Sequence, residues 1–196
     1  LTCPYQVCVL NPNDLSLTQQ GRVYNKPVVV AMTLAEITAV ITETCLEVLS
    51  DAMSTKARLC VVYEEAHSLI PEWNSTSYDV DQKATVRSAK AIMQGRKYGL
   101  GCIVVTQRTA NVIKSVLNQC NTVFALRMFD TTGLEFLSNY IGDDYAALLS
   151  GLQERQAVVF GRGCSASQPA IVQLNERDTF TQYLLTNLPD PPSALL

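Results

Sequence analysis

The chain has 196 residues, 47% hydrophobic and 17% charged, with a formal net charge of -3. That length and balance fit one globular domain with a full-sized core. They exclude a global basic field for nucleic acid, so any DNA contact would have to come from a local loop or channel.

Taken in order, Tyr5 to Leu10 reads as a first strand, followed by a polar loop carrying Pro12, Asn13 and Gly21. Pro27 to Met32 reads as a second, buried strand. Thr33-x-x-Glu36 then makes a capping box, and Leu34, Ile37, Ile41, Cys45, Val48 and Ala52 keep helical spacing, so a helix is expected to end near Met53. Leu59 to Val62 is a short continuous apolar run, the pattern of a strand buried on both faces. Strand, helix, strand implies a right-handed crossover and a parallel sheet.

An exposed loop through Pro71, Trp73 and Ser77 is expected next. Asp79 or Asp81 caps the following helix, which carries Lys83, Arg87 and Lys90 and finishes at Arg96-Lys97 before Gly99. Cys102 to Thr106 is the next buried strand, Ala110 to Asn118 a helix, and Thr122 to Met128 another strand. Thr132-x-x-Glu135 forms a second capping box, opening a helix that Gly142 closes. Asp143 to Ser150 is a short helix bounded by Gly151. Gln156 to Phe160 and Ala170 to Leu174 read as final strands, antiparallel at a sheet edge. Asp178 to Thr186 is the last helix. The expected architecture is α/β, a three-layer sandwich around a mostly parallel sheet, with residues 1–186 as one unit and 187–196 as a Pro-rich tail.

Residue usage outside the motifs is consistent with this. Seven cysteines without a C-x-x-C pair and a single histidine, His67, argue against a disulfide framework or a His-rich metal centre. Cys60 and Cys102 lie inside apolar runs and read as core thiols. No apolar run approaches membrane-spanning length and no signal peptide is visible. A soluble cytoplasmic protein with no membrane insertion is expected.

Three stretches carry chemistry. The run from Leu59 ends in adjacent carboxylates, Glu64 and Glu65, which an extended backbone would point to opposite faces. One can hold a hydrated Mg²⁺ while the other orients and deprotonates an attacking water. A strand delivering an acidic pair followed by Ala-His is the Walker B arrangement of an NTPase; the plainer reading is a solvated strand end. Thr106-Gln-Arg108 ends the next strand, so a parallel sheet places Gln107 at the same carboxyl edge as the two glutamates, where open α/β sheets bind ligands. Gly95-Arg-Lys-Tyr-Gly-Leu-Gly101 either caps a helix with bases suited to its dipole or brings a guanidinium to a phosphate.

Together these stretches resemble the RecA-like ATPases of the HerA/FtsK superfamily, and within it the HerA-type DNA translocases. VVYEEAH (61–67), GRKYGLG (95–101), VVTQR (104–108), LNQCNTVFALRMFD (117–130) and LQERQAVVFGRG (152–163) fall in that family's order and cover most of Pro27 to Leu174. The resemblance implies ATP and Mg²⁺ as cofactors, with Glu64 on the Mg²⁺ side and Glu65 as catalytic base. Gln107 takes the position of the sensor amide, and Thr106 and Lys97 fall on the nucleotide side. Arg96 would reach a neighbouring subunit's nucleotide. A hexameric ring acting on duplex DNA is implied, with a nuclease or effector protein as a possible further partner.

Two departures stand out. The first acidic position, usually aspartate, is Glu64, one methylene longer. No G-x-x-x-x-G-K-[ST] occurs in the 196 residues, so the backbone cradle, phosphate-binding lysine and Mg²⁺-ligating hydroxyl of a P-loop are not among them. The chain is therefore expected to be the C-terminal part of a longer ATPase. The rival readings are a type IV secretion or conjugation ATPase and a non-catalytic ring or scaffold subunit. Lys83, Arg87 and Lys90 are candidates for DNA contact, against the plainer reading of a solvated helix face.

Overall fold

In a computed structural model, residues 8–11, 15, 17–23, 26–51, 58–76 and 78–187 are described. Of the expected first strand, residues 5–7 lie outside the described residues and 8–10 carry no strand; residues 188–196 of the expected tail also lie outside them. The first elements are β1 (Thr18–Val23) and β2 (Lys26–Ala31), paired antiparallel with Thr18 opposite Ala31. The crossover expectation therefore needs correcting. The apolar strand around Val28 exists, but its partner is β1, in the stretch read as a loop, and not the strand after the helix. Pairing with a sequence neighbour closes a much shorter loop and loses less chain entropy.

Helix α1 (Leu34–Asp51) opens on the expected capping box. The Thr33 amide donates to Glu36 Oε2 at 2.8 Å, and the Glu36 amide donates to Thr33 Oγ1 at 3.2 Å. Helix α3 (Asp79–Gly95) lies against α1 through a small-residue seam of Ala35, Ala39 and Ala84. The Arg87–Glu43 ion pair bridges the two helices, with Nε donating to Glu43 Oε1 at 2.9 Å. Arg87 thus serves helix packing, whereas Lys83 and Lys90 are exposed.

Between the two helices in sequence runs β3 (Leu59–Tyr63), paired parallel with β4 (Leu100–Val104) from Leu59–Leu100 to Tyr63–Val104. Its Val61, Tyr63, Cys102 and Val104 face packs with Ala66, Ile70, Ala89, Val112, Ile113 and Val116. The Tyr63 phenol and Thr42 of α1 hydrogen-bond at 2.8 Å. Burial pushes that phenol above its ordinary range, and burial pushes the Cys102 thiol up to about 11.

The other face is open: Val62 is 55% and Ile103 51% exposed, and Cys60 and Val105 are exposed beside them. Burial on both faces of Leu59–Val62, and Cys60 as a core thiol, are thus corrected. Helices cover one face only of the parallel pair, and a three-layer sandwich is not formed among the described residues.

The C-terminal half is built on a second sheet. Strands β5 (Thr122–Ala125), β6 (Gln156–Gly161) and β7 (Ala170–Gln173) pair antiparallel in that order, which bears out the expected β6–β7 edge. Helices α5 (Thr131–Ile141) and α6 (Asp143–Leu148) cover it through Leu137, Ile141, Ala146, Leu149 and Leu152 over Ala125 and Val158. Gly161 has φ +100°, and a Cβ there would stand 2.2 Å from the Asn121 carbonyl oxygen, so the close turn after β6 admits only glycine.

The second capping box is displaced. Asp130, an acceptor of stronger N-cap preference than threonine, takes the Gly133 amide at 2.8 Å and starts α5 two residues early. Gly142 closes it as expected. The helix expected over Ala110–Asn118 is broken into a 3-10 turn, Thr109–Asn111, and a short α4 (Lys114–Leu117), because Val112 bridges to Pro71. Helix α7 (Arg177–Asn187) ends the described chain. No helix among the described residues is long and apolar enough to cross a membrane.

Candidate active site

The parallel register fixes the geometry at the carboxyl edge of β3 and β4. Beyond the strand ends the ladder continues, with the Val105 amide donating to Tyr63 O at 2.9 Å and the Ala66 amide donating to Val105 O at 3.0 Å. The two bonds bracket Glu64 and Glu65 against Val105, the residue just before Thr106 and Gln107. The backbone there is not extended: Glu65 has φ 51°, ψ 47°, a left-handed conformation that ends the strand and starts α2 (Ala66–Leu69). A non-glycine residue held there costs roughly 1–3 kcal/mol, a strain that clusters at functional sites.

The turn aims the Glu65 side chain along the strand edge. The Gln107 Nε2 donates to Glu65 Oε1 at 3.3 Å. His67 Nδ1 lies 3.3 Å from Glu65 Oε2, at ion-pair distance, and 3.4 Å from Thr106 Oγ1. Thr106 Oγ1 also accepts the Arg108 amide at 3.0 Å. Four residues from two strand ends thus form one connected group around a half-exposed carboxylate.

Glu64 is exposed and makes no hydrogen bond or ion pair among the described residues. Mg²⁺ keeps several waters and usually takes one or two carboxylates plus substrate phosphates. A lone outward carboxylate fits that role, although no cluster of three or more metal-ligating groups occurs among the described residues.

Arg96 and Lys97 are not brought to this group. They occupy the 3-10 turn Arg96–Tyr98 that precedes β4, at the amino edge of the parallel pair. A five-residue strand separates the two edges, about 16 Å at strand rise.

Beside Gln107 opens a cleft of about 480 Å³ lined by Gln107, Arg108, Ala110, Asn111, Asp130 and Thr132. The motifs by themselves give His67 no role, yet its position carries a signal: the chain's one histidine stands two residues after an acid at a strand end, where a side chain can return to the carboxylate.

The loops leaving the two strands are tied together further out. The Glu72 amide donates to Asn111 O at 2.7 Å, and the Ile113 amide donates to Ile70 O at 3.1 Å. The buried Glu72 carboxylate accepts the Lys114 amide at 2.8 Å and the Trp73 amide at 3.3 Å. Glu72→Ala leaves two amides without their acceptor and is expected to cost about 2–4 kcal/mol. Urea unfolding of the two proteins checks this; a change under about 0.5 kcal/mol would mean the carboxylate holds nothing.

No family model matches the chain. Its fold is shared with solved ATPases. The DNA-packaging ATPase B204 from Sulfolobus Turreted Icosahedral Virus superposes with TM-score 0.52 at 15% identity, over 70% of this chain and 62% of that one. The genome packaging NTPase B204 of Sulfolobus turreted icosahedral virus 2, in complex with AMPPCP, gives 0.53 at 15%, over 74% and 73%.

Sequence relatives are more specific. The chain is 32% identical over 127 residues to a probable DNA double-strand break repair helicase HerA of Methanocaldococcus jannaschii, 63% of this chain and 24% of the relative. It is 28% identical over 124 residues to the HerA helicase of Sulfurisphaera tokodaii, 62% and 23%. To that of Saccharolobus solfataricus it is 26% identical over 138 residues, 69% and 25%. The chain spans about a quarter of the length of the curated relatives it matches. It is therefore related to the HerA/FtsK-type P-loop ATPases.

Proposed function

We propose that this chain is the C-terminal part of a HerA-type ATPase motor that couples ATP hydrolysis to movement along duplex DNA, as a cytoplasmic hexameric ring. The observation that carries the reading is the Glu65 carboxylate, turned along the strand edge and held by the amide of Gln107 from the neighbouring strand. Glu65 takes a proton from water as its oxygen attacks the γ-phosphorus in line, and the bond to the β–γ bridging oxygen breaks to release ADP and phosphate. Gln107 fixes the carboxylate, and Thr106 fixes the turn that presents Gln107. Glu64 would hold a hydrated Mg²⁺, which when bound neutralises phosphate charge. Arg96, with Lys97 beside it, serves the nucleotide of a neighbouring subunit, and a nuclease or effector protein is the further partner. The phosphate cradle comes from outside these 196 residues.

A second reading, a non-catalytic ring or scaffold subunit, is favoured by one observation: no G-x-x-x-x-G-K-[ST] occurs in the sequence. The two readings separate on the behaviour of the chain by itself and with a cradle supplied. The purified 196 residues are expected to bind ATP weakly and hydrolyse it negligibly, because most phosphate contacts are missing. A longer protein joining a P-loop to this chain is expected to show ATPase activity stimulated by duplex DNA. Robust turnover by the chain alone, with contaminants excluded by mass spectrometry, would sink the fragment reading. A silent longer protein that assembles and binds ATP would favour the scaffold.

A further inference from the structure

We propose that His67 is a positioning residue for Glu65, an inference that rests on the reading of Glu65 as general base. In this arrangement the imidazole carries its proton on Nδ1, and the ring and Gln107 each hold one carboxylate oxygen. The geometry is built around one contested atom. His67 Nδ1 lies 3.3 Å from Glu65 Oε2 and 3.4 Å from Thr106 Oγ1. An ionised carboxylate only accepts, and a neutral imidazole nitrogen either donates or accepts. With the proton on Nε2, Nδ1 takes the Thr106 hydroxyl and sets its lone pair against the carboxylate. With the proton on Nδ1, a small turn of the half-exposed Glu65 side chain lets the ring donate to Oε2, which stands at ion-pair distance, and the Thr106 hydroxyl turns away, still accepting the Arg108 amide at 3.0 Å. The tautomer therefore selects between a Glu65 held at both oxygens and a Glu65 held only by Gln107.

The need for such a hold follows from exposure. The Glu65 side chain is 52% exposed, and a solvated glutamate loses more rotamer freedom on being fixed than most side chains. The ring is the better-anchored partner, with a side chain 20% exposed. The turn that carries it is closed on either side of His67 by the Ser68 amide on Glu65 O at 2.8 Å and the Ile70 amide on Ala66 O at 2.8 Å, with Ala66 fully buried. His67 does not touch the reacting atoms in this scheme. It holds the residue that does.

The single histidine of the chain makes the test direct. In the full 196-residue chain, at a pH where the ring is neutral, ¹⁵N NMR of the imidazole is expected to show Nδ1–H as the main tautomer. Glu65→Ala is expected to move the tautomer ratio about tenfold toward Nε2–H, the effect of losing one charge-assisted hydrogen bond. Thr106→Val is expected to leave Nδ1–H dominant. A ring mainly protonated on Nε2, or a ratio that Glu65→Ala leaves unchanged, overturns the proposal while leaving the ATPase reading in place.

Kinetics in the P-loop-bearing protein supply the second arm. His67→Ala is expected to lower kcat about tenfold with KM for ATP unchanged. His67→Asn, whose amide N–H stands near the Nδ1 position, is expected to recover most of that loss. An equal loss in both variants overturns the positioning role. Absence of turnover even in the unsubstituted protein would count against the ATPase reading alone, since the NMR arm decides the His67–Glu65 contact independently.

Discussion

Glu65→Gln in the P-loop-bearing protein is expected to leave ATP binding largely intact while turnover falls about 10²–10⁴-fold, the usual cost of losing a general base. The amide keeps the length and shape of the side chain, and its oxygen can still accept from Gln107 or His67. What it loses is the capacity to take the proton of the attacking water. Because the residue is half-exposed and its left-handed backbone is set by the turn between β3 and α2, the substitution should not disturb the fold. Equilibrium binding of ATP measured beside steady-state hydrolysis separates the two effects. A variant turning over at close to the unsubstituted rate would make Glu65 a surface glutamate, and the hydrogen bond from Gln107 would then be a strand-end contact only.

How much of this was legible in the sequence depended on how local the determining interactions are. The capping box at Thr33 and Glu36 was readable because both partners lie within one turn. The meeting of Gln107 with Glu65, 42 residues apart, was readable for a different reason. Two adjacent parallel strands that each end in polar residues must deliver them to the same edge. The single-sided burial of β3 was not readable, because an apolar run such as Leu59–Val62 says how much burial a strand tolerates, not what covers it. The β1–β2 hairpin was missed because β1 reads TQQGRV, with no apolar alternation to mark it. The left-handed Glu65 was hidden too: nothing in an acidic dipeptide announces positive φ, yet that turn brings His67 back to the carboxylate. The α5 start shows a competition between neighbours, where Asp130 and Thr132 both qualify as caps and the stronger acceptor wins.

Arg96 carries the second large effect. It stands at the amino edge of β4, about 16 Å of strand from the carboxyl edge that presents Glu65 and Gln107, farther than an arginine side chain reaches. A role in catalysis therefore requires the nucleotide of another subunit. On that reading, Arg96→Ala subunits are expected to bind ATP through their own sites and to form rings with little activity, because an arginine finger contributes about 10³–10⁵-fold in other NTPases. Glu65→Gln rings are inactive for a separate reason. Mixing the two should restore hydrolysis, since a subunit with an intact Glu65 then faces a neighbour with an intact Arg96, and even a minority of such interfaces is measurable against so low a background. Arg96→Lys should rescue poorly, because an ammonium lacks the planar fork that grips two oxygens. The readout is ATP turnover across a series of mixing ratios, with subunit exchange confirmed by differently tagged chains co-purifying in one ring. Rings that mix and stay inactive at every ratio would leave Arg96 as the first residue of the 3-10 turn that follows α3, serving that helix's dipole and the turn before Gly99 and no nucleotide at all.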